Sequence, residues 1–172
     1  MSAETFTTAM FLITAVIASG VLINAVFPVV YQMSGTFASS THESDLRLRT
    51  DFKVVTYYAN GDTKNAEIWM KNIGTQKIAI LDITKSDVFC GDEGNFGRLA
   101  YIPYGTLSNG EWTTDFTVAG NDYNLNDNEY WDSGETLHIL AKTSLIPASG
   151  GNTYYQFILP DGIWRSITFT AR

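Results

Sequence analysis

The sequence predicts a mainly β protein: one N-terminal transmembrane helix followed by an antiparallel β-sandwich. Three observations carry the prediction. The stretch "TFTTAMFLITAVIASGVLINAVFPVVYQM", Thr5–Met33, holds no Asp, Glu, Lys, Arg or His. From Asp51 onward the apolar residues recur with a period of two, between turn signals. The 172-residue chain also has a single cysteine, Cys90, so its sandwich must be held by a core rather than by internal disulfides.

The helix comes first. At about 1.5 Å per residue, Thr5–Met33 reaches roughly 43 Å, more than the roughly 30 Å hydrocarbon core requires. A secretory signal fits poorly, because no basic n-region precedes the apolar run and the run is long for an h-region. A pilin leader would place basic residues and a glycine where only "MSAE" stands. Residues 1–33 are therefore expected to form an uncleaved membrane span. Thr8, Ala15 and Ser19 share a face, and small residues let helices approach closely; the same residue types are also ordinary in membrane spans. Asn24 would seek an interhelical partner, and Pro28 removes one backbone donor. Residues 34–50, opening "SGTFASSTHES", read as a linker or as an extension of the helix. Arg47, Arg49 and Lys53 lie at the edge of the positive-inside rule's reach of roughly 15–20 residues beyond Met33, and a long domain can translocate regardless of charge, so residue pattern leaves the orientation open.

Residues 51–172 read as the sandwich. "DFKVVTYYA" and "AEIWMKN" flank the turn "NGD", with Ala66, Ile68 and Met70 inward and Glu67, Trp69 and Lys71 outward. "KIAILDIT", "RLAYIPY", "EWTTDFTV", "ETLHILAK" and "TYYQFIL" read as further strands, and "IWRSITFT" after "PDG" completes the clearest hairpin. That terminal hairpin is the expected free edge for assembly. Cys90, in "DVFCG", reads as a small buried residue at a strand end. "GDEGNFG" (91–97) is a turn cluster without phosphate-binding spacing.

Function classes narrow by composition. The net charge is −7, and Glu4 is the only charge before Glu43, so nearly all of it falls on the sandwich. No Lys/Arg cluster offers a phosphate footprint, which excludes nucleic acid. His42 lacks the second histidine of a zinc-binding helix, and His138, on the strand "ETLHILAK", reads as solvent-facing. No nucleophile motif is present, so an enzyme is not expected. One segment has ligand density: "GNDYNLNDNEYWDSGE" (120–135). Asp122, Asn124, Asn126, Asp132 and Glu135 are the candidate calcium ligands, with Asn128 between them. Glu129 stands where an EF-hand loop needs glycine, and the alternative is an Asx-rich turn. With three charged ligands, calcium affinity would be weak, about 10⁻⁴–10⁻³ M.

Taken together, "SAETFTTAMFLITAVIASGVLINAVFPVVY", "RLRTDFKVV", "WMKNIGTQKI" and "DNEYWDSGETL" resemble the FlaG family of the archaellum, the archaeal swimming organelle. The β-domain is also similar to that of the archaellins, which share the "KNxG" turn and a "W-x-x-G-E" element. The resemblance covers essentially the whole chain. It implies an immunoglobulin-like sandwich outside the cytoplasmic membrane, anchored by the helix as a single pass. It implies a non-catalytic stator acting with a FlaF-like paralogue and the archaellum motor, linked to the S-layer, with self-association. The alternative is a filament subunit of the archaellin or archaeal pilin type.

Overall fold

The computed structural model describes residues 2–103, 105–114 and 128–172. The chain divides into two compact units, Met1–Asp45 and Leu46–Arg172.

The first unit is helical. Helix α1 runs Ser2–Arg49, so the polar stretch after Met33 continues it, and its last turn belongs to the second unit. The hydroxyls of Thr7, Thr8, Thr14, Thr36 and Thr41 each donate to the carbonyl four residues back, at 2.8–2.9 Å. Those bonds give the five hydroxyl donors partners within the helix itself.

Among its described residues the second unit holds ten strands: β1 (Phe52–Asn60), β2 (Asn65–Asn72), β3 (Ile78–Ala79), β4 (Asp87–Asp92), β5 (Asn95–Tyr101), β6 (Glu111–Thr114), β7 (Tyr130–Trp131), β8 (Thr136–Lys142), β9 (Asn152–Ile158) and β10 (Trp164–Thr170). Two antiparallel sheets, β1-β2-β8-β6 and β5-β4-β9-β10, face one another. A short parallel contact of β5 with β6, pairing Ala100 with Glu111 and Tyr101 with Trp112, links them. The predicted alternation holds on β2, where Ala66, Ile68 and Met70 are buried. They meet Phe52, Trp112, Trp131, Ile139, Tyr155 and Phe157 in one core. Phe52 packs edge-on against Phe157 with ring centroids 5.5 Å apart, and Trp112 does the same at 6.3 Å.

The ladder's two outer strands do not stand free. Arg165 on β10 pairs with Asp51 just before β1. The Tyr57 and Phe169 rings lie 4.5 Å apart. Arg172 N–H donates to the Ala59 carbonyl and its own carbonyl accepts from Gly61 N–H, both at 2.8 Å. The terminal hairpin is thus tied to β1 at three points rather than left as a bare edge, a common way for β proteins to protect an edge.

Four local expectations are corrected. "KIAILDIT" is a strand only at β3; Ile80–Thr84 form helix α2. Continued alternation would carry Asp82 inward with Ile78 and Ile80, whereas the helical turn exposes Asp82 and buries Ile83. Cys90 lies within β4, between β5 and β9, not at a strand end. The first hairpin closes through Gly61–Lys64 rather than through "NGD" alone: Asn60 Oδ1 accepts from Asp62 and Thr63 N–H, and Lys64 takes φ 59°. His138 is buried rather than solvent-facing. It pairs with Trp69 across β8 and β2, and the two rings stack 4.2 Å apart, 5° from parallel.

Candidate functional site

Two features stand out, and neither is a catalytic pocket. The first is the apolar surface of α1. Phe6, Phe11, Val16, Val21, Leu22 and Val29 are each at least 60% exposed among the described residues. The helix is long and apolar enough to cross a membrane. A surface this apolar is stable only against lipid or against other helices.

The second feature is the junction where the chain leaves that helix and enters β1. It is built by the two motifs noted in the sequence, Lys71-Asn72-Ile73-Gly74 after β2 and Trp131-Asp132-Ser133-Gly134-Glu135 between β7 and β8. Asn72 is fully buried and its polar groups are all engaged. Its Nδ2 donates to the Gln76 and Trp131 carbonyls, both at 2.9 Å, and its Oδ1 accepts from Gly74 N–H at 3.0 Å. Its backbone N–H donates to the Glu135 carbonyl at 3.0 Å, and its carbonyl accepts from Gly134 N–H at 2.8 Å. The indole N–H of Trp131 donates to that same Glu135 carbonyl at 2.9 Å, and Ser133 Oγ donates to the Gly74 carbonyl at 2.6 Å.

The loop so fixed presents a row of backbone donors to the incoming chain. Ile73 and Gly74 N–H both donate to the Asp51 carbonyl at 2.9 Å, and Thr75 and Gln76 N–H to the Arg49 carbonyl at 2.9 and 3.1 Å. The Arg49 guanidinium adds a bond to Thr75 Oγ1 at 3.3 Å. Gly74 is required by this approach: a Cβ there would lie 2.4 Å from the Arg49 carbonyl oxygen and 2.5 Å from Asp51 N. Arg49, Asp51 and Ser133 were not singled out from sequence as members of one site, because no local spacing joins residue 49 to residue 133.

Of the candidate calcium ligands, Asp122, Asn124 and Asn126 lie outside the described residues. Asp132 and Glu135 fall in the junction turn. Asp132 accepts from Asn128 Nδ2 at 2.7 Å and pairs with Lys77 at 3.0 Å, and these two contacts hold its carboxyl below the usual carboxylate range. Glu135 Oε2 accepts from Asp132 N–H at 2.8 Å, closing the turn. Among the described residues, no group of three His, Cys, Asp or Glu side chains is placed to hold a metal. Cys90 is buried, and that burial pushes its thiol up to about 12, which leaves no thiolate for chemistry at neutral pH.

A long uncovered helix joined through a buried polar junction to an immunoglobulin-like sandwich defines a structural class: proteins anchored or assembled by the helix and displayed by the sandwich. The chain belongs to the archaeal-type flagellin family, whose model matches residues 7–169, and it is an archaellum-related protein. An uncharacterized protein of Archaeoglobus fulgidus is 26% identical over 141 residues, 81% of this chain and 80% of that one. The fold matches the archaellum periplasmic stator protein FlaG of Sulfolobus acidocaldarius with TM-score 0.52 at 18% identity, over 70% of this chain and 99% of that one. It matches the FlaF–FlaG stator complex of the same organism with TM-score 0.52 at 17% identity, over 69% and 87%. The archaeal flagellum of Methanospirillum hungatei strain JF1 matches with TM-score 0.57 at 14% identity, over 96% and 92%.

Proposed function

We propose that the chain is a non-enzymatic, membrane-anchored stator component of the archaellum. Its helix sits in the cytoplasmic membrane as a single pass, and its sandwich lies on the extracellular side, where it works with a FlaF-like partner to link the motor to the S-layer. The observation that carries this reading is the helix whose apolar side chains are exposed along its length, on a chain whose sandwich has the FlaG fold. Detergent extraction of native membranes tests it. The chain should resist alkaline carbonate, dissolve in detergent and bring a FlaF-like protein with it. Release by carbonate, or purification without any envelope or motor protein, would overturn it.

A second reading has its own support. The match to the Methanospirillum filament spans 96% of this chain, the helix included. As a filament subunit, the chain would bury the same apolar surface in a bundle of its own helices. Shearing cells separates the two: recovery in sheared filaments with a processed N-terminus favours the subunit, and retention in the membrane with an intact one favours the stator.

A further inference from the structure

The junction has a mechanical property that hydrogen-bond counting alone does not express. β1 ends the ladder, with a paired strand on one side only. Tension arriving along the chain at residue 52 would therefore fall first on the β1–β2 bonds. Residues 49–51 prevent this. Four consecutive donors, Ile73 to Gln76, hold the carbonyls of Arg49 and Asp51, and these bonds stand ahead of β1 on the path of the load. The donor loop is itself held from behind. Asn72 fastens it to Trp131 and Glu135, and Ser133 Oγ holds the Gly74 carbonyl. β2 and β8 are neighbours inside the sheet, paired from Asn65↔Lys142 to Lys71↔Thr136.

We infer that the Asn72–Gly74 and Trp131–Glu135 motifs form a load clamp, which passes tension on the anchor into β2 and β8 and spares the edge strand β1. The inference deepens the reading of the chain as a load-bearing anchor, and it holds equally for a stator and for a filament subunit. Its failure is distinguishable from failure of the stator reading, which depends on membrane retention and partners.

Single-molecule pulling on the full-length protein in detergent micelles tests it. Handles on Ser44→Cys and Ser149→Cys load residues 49–51; handles on Glu93→Cys and Ser149→Cys do not. Both pairs use exposed positions, and buried Cys90 does not compete for the handles. Rupture force should be higher in the first geometry. Asn72→Ala should abolish that difference, while a core control, Val88→Ala, should lower both forces and keep it. Where Asn72→Ala does not fold, Ser133→Ala removes a single clamp bond and should reduce the difference in the same sense. Equal forces in the two geometries, or equal effects of clamp and core variants, would overturn the clamp.

Discussion

Asn72 shows how much one side chain can specify. It is a polar residue at 0% exposure, tolerable only because both amide hydrogens and the amide oxygen have partners. Asn72→Ala should lower unfolding free energy by about 2–4 kcal/mol, since it strands several buried groups at once. Asn72→Asp should be worse than Asn72→Ala, because a carboxylate would face the Gln76 and Trp131 carbonyls; urea titrations of the two variants check the order. Cys90 gives the pH counterpart. Its thiol rises from an ordinary 9.0 to about 12 because burial disfavours the thiolate. The folded state therefore keeps a proton that the unfolded state loses. The contribution is complete below pH 9.0 and drains away above it, by about 1.4 kcal/mol per pH unit, until about pH 12. Melting temperature should fall above pH 9, and Cys90→Ala should flatten the first part of that fall. Tyr155, also raised by burial and then by Cys90, contributes only above its ordinary value of 10.0. At pH 8 a thiol reagent should label Cys90 only once the sandwich unfolds; labelling of the folded protein would contradict the burial.

Among the elements, those with long alternating patterns were legible. β2 carries period-two burial throughout, β8 does so except at the buried His138, and the terminal hairpin lies where its turn dipeptide places it. Elements fixed by distant partners were not. β7 is two residues long and exists because β3 pairs with it, and α2 follows from where Asp82 and Ile83 must point. The junction was legible in parts: its two motifs were visible as turns, but Asn72 reaches Trp131 across 59 positions and no local signal records that. The acidic spacing drew attention to Asp132 and Glu135, whose oxygens here organise the turn that completes the junction. A consequence follows for where the domain begins. The strand pattern places the start at Asp51, yet that cut deletes the Arg49 carbonyl that accepts from Thr75 and Gln76. Fragment 46–172 should be soluble and β-rich by circular dichroism, and it should melt above fragment 51–172. Equal melting points would mean that the Arg49 bonds contribute nothing. Gly74→Ala should lower the melting point of the longer fragment more than that of the shorter one, because one of the two backbone clashes is absent when Arg49 is.

In the whole molecule, the chain's acidic sandwich and the uncharged stretch Thr5–Met33 of α1 divide solubility between water and an apolar phase. The sandwich is completed by the seam between its first and last strands, through Asp51–Arg165, Tyr57–Phe169 and the Ala59–Arg172–Gly61 bonds. Removing Ala171 and Arg172 deletes the backbone bonds at one end of that seam. The truncated protein should retain β structure but aggregate at concentrations where the intact chain does not, as light scattering would show; unchanged scattering would mean the seam does not guard the edges. The seam also sets a clock. A growing chain presents β1 early, yet β10, which closes the seam with it, is made long afterwards. Until β10 emerges, β1 is left with an uncovered flank. Closure then requires joining distant parts of the sequence, which slows β-rich domains to milliseconds or longer. The interval between first exposure and final closure is when this protein is open to mispairing, and a chaperone would be needed then rather than after the fold is made.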